Sequence, residues 1–114
     1  GMRFLKHLER TRLLLHVVDI QPLDGSDPLE NIALIEDELT KYSPELAAKP
    51  RWLVLNKIDL LPAEQLTDYC QFIKTALPRQ IPVFEISALQ RVGTKALCYA
   101  LGDFLQQIDQ EMIE

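Results

Sequence analysis

Asn56, Lys57 and Asp59 form an Asn-Lys-x-Asp tetrapeptide directly after the apolar run Trp52, Leu53, Val54, Leu55. A carboxylate only accepts hydrogen bonds, so its best match on a flat ring is a pair of adjacent N–H donors. An amide donates and accepts at once, so Asn56 can hold a ring nitrogen and also tie its loop to a neighbour. The methylene stem of a lysine can lie across the ring, with its charge drawn to the π face. Guanine presents adjacent N–H donors beside the N7 and O6 acceptors, and adenine does not offer that pair of donors. A second signal, Ser87-Ala88-Leu89, follows another strand-like run. The two segments together define a candidate guanine-specificity site.

The elements that must carry these loops can be read from the apolar pattern. Leu13, Leu14, Leu15, His16, Val17 and Val18 form a continuous run that ends at Asp19 and is followed by turn residues between Pro22 and Ser26. Asp27-Pro28-Leu29-Glu30 supplies an N-cap, a proline at the first helical position and a glutamate at the capping-box position. Ile32, Ile35 and Leu39 give that helix a buried stripe, and Ser43-Pro44 closes it. Trp52 to Leu55 is a second strand. Pro62-Ala63-Glu64 opens a second helix, with Leu66, Tyr69, Cys70, Ile73 and Leu77 spaced by three and four. Pro78 and Pro82 bracket the return to a third strand, Val83-Phe84-Glu85-Ile86. A last helix begins near Gly93 and is expected to bury Leu97, Leu101, Phe104, Leu105 and Ile108. Strands that are apolar throughout, alternating with amphipathic helices, indicate an α/β fold: a three-layer, Rossmann-like sandwich with a mainly parallel sheet covered on both faces. In such sheets ligands bind beyond the carboxyl ends of the strands, where Asp19, Asn56 and Ser87 all fall.

Composition is compatible with one domain spanning residues 1–114. At 47% hydrophobic the chain can bury a modest core. The net charge of −5 argues against a general nucleic-acid surface. Within residues 1–12, Arg3, Lys6, Arg10 and Arg12 outweigh Glu9 by +3, which leaves −8 for the rest. Arg3, Lys6 and Arg10 share one helix face, readable as a solvated face or as a ribosomal RNA contact. Cys70 and Cys98 read as buried, reduced thiols, and no run is apolar and long enough to cross a membrane. His16 reads as a core histidine with one hydrogen-bond partner and His7 as a surface residue. Asp19 reads equally as a strand-end turn former or as a contact between loops. No Gly-x-x-x-x-Gly-Lys-Ser/Thr run and no Asp-x-x-Gly occurs, and the four glycines (Gly1, Gly25, Gly93, Gly102) are not arranged to cradle phosphates. The chain carries equipment for the base and none for the phosphates, so it reads as the second half of a G domain.

Residues 4–19, from Phe4-Leu5-Lys6-His7-Leu8-Glu9-Arg10 through Val17-Val18-Asp19, resemble the segment after the second switch in the Obg (CgtA) family of bacterial GTPases. Tyr42-Ser43-Pro44-Glu45-Leu46 and Leu53-Val54-Leu55-Asn56-Lys57-Ile58-Asp59-Leu60-Leu61 resemble the same family in the same order. The resemblance implies the carboxyl-terminal half of a P-loop G domain. It further implies a cytoplasmic parent protein that hydrolyses GTP with magnesium, associates with the large ribosomal subunit and helps its assembly or stress signalling. It makes Asp59 the acceptor for the two guanine N–H groups. Asn56 becomes the partner of N7, Lys57 the cover of one ring face, Ala88 the backbone donor to the carbonyl oxygen, Ser87 the brace of that loop, and Leu89 a flank of the base. One departure is visible: Arg91 stands where the family often has glycine, with Gly93 kept, which implies a stiffer, bulkier loop rim.

From this follow further expectations. GTP or GDP is contacted here through guanine alone, at millimolar affinity or weaker, and the magnesium ligands are absent. Hydrolysis is not expected from this chain, because phosphoryl transfer depends on charge positioned around the γ-phosphate. The strand of residues 13–18 forms an exposed edge with an uncovered apolar side, and copies self-associate through that edge or through the basic amino-terminal helix. The alternative is a self-contained small α/β binding or protein-interaction module that uses the same edge for another ligand. A response-regulator-like module fits less well, since only Asp19 and Asp59 stand at strand ends without the lysine placement such a site needs.

Overall fold

A computed structural model describes residues 12–77 and 80–113, with side chains up to residue 107. The basic face of Arg3, Lys6 and Arg10, together with His7, Pro78 and the side chain of Ile108, lies outside the described residues.

The described chain runs β1 (Leu14–Asp19), α1 (Pro28–Tyr42), a short α2 (Pro44–Ala47), β2 (Arg51–Asn56), a 3-10 turn (Ile58–Leu60), α3 (Ala63–Ala76), β3 (Val83–Glu85) and α4 (Thr94–Ile113). The strands form one parallel sheet in the order β1-β2-β3, with Leu14 opposite Arg51, Asp19 opposite Asn56, and Leu53 opposite Val83. The fold is α/β, a parallel sheet flanked by helices, as the alternating pattern predicts. Among the described residues no helix is long and apolar enough to cross a membrane.

Local chemistry sets the boundaries. The Asp27 carboxylate accepts from the Leu29 N–H at 3.0 Å, which caps α1 at the proline-led first turn. Ser43 closes α1 through its own N–H to Leu39 and caps α2 with its hydroxyl, which accepts from Leu46 N–H. A serine thus ends one helix and starts the next without a loop.

Pleating sorts β2 into two faces. Leu53 and Leu55 meet Val18, Ile20, Ile32, Cys70 and Ile73 beneath α1 and α3, whereas Trp52 and Val54 meet Ile86 and Leu97 beneath α4. Leu53, Val54 and Leu55 are fully buried, each contributing about 1.5–3 kcal/mol of apolar burial. Trp52 stacks obliquely on Phe84 at 5.0 Å and meets the edge of Phe104 at 5.5 Å. A third cluster of Leu14, Leu39 and Leu46 seats α2.

β2 also begins with Arg51, buried and ion-paired to Glu36 of α1, where the apolar pattern alone starts the strand at Trp52. Among the described residues the buried His16 Nδ1 has no hydrogen-bond partner, so the expected partner is not found on that nitrogen. Burial, and then the Arg51 guanidinium, lowers the His16 pKa to about 4. Two further expectations are corrected. Leu105 is 43% exposed, because the 20-residue α4, about 30 Å long, overruns the three-residue β3 it packs beside. Cys98 is exposed on the outer side of α4, while Cys70 is buried, and both are free thiols.

β1 is an edge strand among the described residues, paired with β2 alone. Leu15 and Val17, on the α4 side of the sheet by their register with Trp52 and Val54, are 41% and 56% exposed. Among the described residues the sheet therefore has a partly exposed apolar corner at β1.

Candidate functional site

Parallel strands bring their carboxyl ends to one edge, and the three loops that follow β1, β2 and β3 meet there. Asn56 is the last residue of β2, and its carbonyl accepts from the Ile20 N–H at 3.1 Å. Lys57 then turns left-handed, with φ at 68°. This single residue redirects the chain into the 3-10 turn that carries Asp59. The Ile58 N–H donates to the Ile86 carbonyl at 3.2 Å, so the turn is fastened to the end of β3.

Side chains complete the fastening on both flanks of β2. On the β3 side, the Ser87 hydroxyl donates to Asp59 Oδ1 at 2.7 Å, and the Ala88 N–H donates to Asn56 Oδ1 at 3.0 Å. On the β1 side, the Lys57 ammonium pairs with Asp19 Oδ2 at 3.0 Å, and Asn56 Nδ2 approaches Asp19 Oδ1 at 3.5 Å. The tetrapeptide therefore straddles β2, with Lys57 anchored to one neighbour and Asp59 to the other. Asn56 spans both.

The loop after β3 is shaped by its own hydrogen bonds. Ser87 and Val92 exchange two backbone hydrogen bonds, at 3.0 and 3.1 Å, and Ser87 Oγ also accepts from Gln90 N–H. Arg91 takes a left-handed φ of 58°, in the place where the resemblance implies glycine. Gly93, at φ 76°, lies so close to β3 that a Cβ there would sit 2.4 Å from the Glu85 carbonyl oxygen. Ser87 is fully buried, whereas Ala88 and Leu89 project into solvent.

The structure thus brings Asn56, Lys57, Asp59, Ser87 and Ala88 into one hydrogen-bonded group, with Leu89 on its exposed rim. Asp59 is exposed and has one oxygen engaged by Ser87, so its carboxylate remains presented to an incoming pair of donors. Ala88 differs from its sequence-based role in one respect: its N–H is already donated to Asn56. A carbonyl oxygen would have to share or displace that bond. Asp19, read from sequence as turn former or loop contact, is a loop contact. No protein-family model matches the chain.

Proposed function

We propose that this chain is the guanine-recognition half of an Obg-type GTP-binding protein. The observation that supports it is the convergence of the Asn56–Asp59 turn and the Ser87–Leu89 loop at adjacent strand ends, with the Asp59 carboxylate held by Ser87 at 2.7 Å. Asp59 accepts from the two adjacent N–H groups of guanine, Asn56 donates its second Nδ2 hydrogen to N7, and the Lys57 stem covers one ring face. The phosphates and magnesium are bound, in this reading, by a preceding half of the G domain. The GTP hydrolysis and large-subunit assembly of an Obg-type parent, in the cytoplasm, are parts of the same proposal.

The test is a protein-observed NMR titration of the chain with GMP, using AMP as the control. The proposal expects shifts confined to residues 56–59 and 87–89 with GMP only. Equal shifts with both nucleotides make guanine recognition the wrong idea and favour a general α/β binding module. Silence with both overturns base reading by this chain standing alone.

A further inference from the structure

Resting on the guanine reading, we infer that Asp19 is a positioning residue for the base, fixing both Asn56 and Lys57 from outside the tetrapeptide. Asp19 ends β1 directly opposite Asn56 in the parallel register. Its two carboxylate oxygens serve two partners, the Lys57 ammonium at 3.0 Å and Asn56 Nδ2 at 3.5 Å. The Ile20 N–H bonded to the Asn56 carbonyl continues the β1–β2 ladder one step beyond the strands, so the carboxylate is carried on fixed backbone.

Two consequences follow from the donor and acceptor inventory. A carboxylate has no proton to give, and a backbone N–H has no lone pair to offer. With Ala88 N–H on one side and Asp19 on the other, the amide of Asn56 is held with Oδ1 toward β3 and Nδ2 toward β1. The flipped rotamer loses both contacts at once. One hydrogen of Nδ2 is then left over to donate to the N7 of a purine.

The second consequence concerns Lys57. From its left-handed backbone the side chain runs toward β1 to reach Asp19, which turns its methylene stem into a wall on that side. The ion pair is two-thirds shielded, with 32% and 35% of the two side chains exposed, so it is screened less than a surface pair. Asp19 also neutralises Lys57 locally. Without it, a mobile cation stands at the site and attracts the phosphate of any nucleotide, which erodes discrimination between bases.

The experiment compares the wild-type chain with Asp19→Asn, Asp19→Ala and Asp19→Glu. The ligand-free readout is the exchange-protected side-chain NMR signal of the Lys57 ammonium, with thermal unfolding in parallel. Titrations with GMP, AMP and inorganic phosphate follow. The inference expects Asp19→Asn, close to the native shape, to lose the Lys57 signal and to weaken GMP shifts about tenfold. AMP and phosphate shifts at Lys57 should grow, the core should be unchanged, and Asp19→Glu should partly restore the wild type. GMP-specific binding in the wild type that Asp19→Asn and Asp19→Ala retain, with unchanged discrimination, overturns the inference alone. A wild-type chain that responds equally to GMP and AMP removes the guanine reading and this inference with it. One that responds to neither overturns base reading by the chain standing alone and, with it, this inference.

Discussion

Substituting alanine at three glycines separates two costs that are usually measured together. Gly102 lies within α4 with open space where a Cβ would go, so Gly102→Ala gains about 0.5–1 kcal/mol from helix propensity and a stiffer unfolded chain. Gly25 has φ 74° and nothing within 4 Å of a built Cβ, so Gly25→Ala isolates left-handed strain. That strain is about 1–2 kcal/mol, offset by about 0.4–1 kcal/mol from the unfolded state. Gly93 adds a collision to the same strain, since its Cβ would stand 2.4 Å from the Glu85 carbonyl oxygen and 3.4 Å from Ile86 Cα. Both neighbours are backbone of the sheet edge and cannot rotate away. Overpacking of this kind costs about 1–3 kcal/mol, which places Gly93→Ala at roughly 2–4 kcal/mol overall. In a domain of this size that lowers Tm by on the order of 10–15 °C. Urea and thermal unfolding of the three variants give the series directly, and amide shifts of Ser87 and Ala88 report whether the collision displaces the loop. A Gly93→Ala chain within about 0.5 kcal/mol of Gly25→Ala refutes the assignment of the extra cost to Glu85.

Asp59→Asn replaces one acceptor with a donor while Oδ1 can keep its bond from Ser87. GMP shifts should weaken about tenfold or more and those of the 2-oxo analogue XMP should strengthen; unchanged preference excludes Asp59 as the reader. The His16 imidazole, with its pKa lowered to about 4, stays neutral in the folded chain while the unfolded chain takes up a proton near pH 6.5. The His16 contribution to stability is therefore flat above about pH 6.5 and falls as pH drops from there toward about 4, where the unfolded state binds more protons. His16→Gln should flatten the decline between about pH 6.5 and 5, above the carboxylate range, and an unaltered slope counts against the burial argument. Cys98 should react with an alkylating reagent at once. Cys70, its pKa pushed up to about 12 by burial and by the Glu85 carboxylate, should react only as fast as the chain unfolds, and two fast thiols contradict this. Leu15 and Val17 on the β1 edge should drive self-association that Val17→Lys suppresses; sedimentation of the wild type as a clean monomer at high concentration sinks that expectation.

The features that were legible from sequence are those set by local pattern. Asp27-Pro28, the stripe of Ile32 and Leu39, and the apolar runs ending at Asp19 and Asn56 all fix elements through neighbours a few residues away. Strand ends in a parallel sheet then predict which loops meet. What was not legible depends on distant partners or on the extent of cover. The contact of Asp19 with Asn56 joins positions 37 apart, and nothing in either residue type names the other. Arg51 looks like an exposed charge until Glu36 of α1 is placed against it. Periodicity places Leu105 in the core because it records which face of a helix is apolar, not how far the sheet beneath it reaches. Cysteine usage says nothing of which side of α4 carries Cys98. The pair of backbone hydrogen bonds between Ser87 and Val92 has no signature in the sequence other than Gly93.

Zero exposure at Leu53, Val54 and Leu55 also divides the site by timescale. Amide groups of β2 exchange with solvent only when the whole domain opens, whereas those beyond Ser87, in the exposed turn of Ala88, Leu89, Gln90 and Arg91, can open locally. Asn56 therefore ends the buried strand, whereas Ala88 sits in the exposed turn and is tied to it by the single bond from its N–H to Asn56 Oδ1. A ligand that spans both finds half of its contacts already ordered and must quench motion only in the other half. In the guanine reading proposed above, the entropy of capture then resides in the rim residues. Substitutions there should tune residence time while leaving base choice to Asp59, which Ser87 holds at the sheet edge.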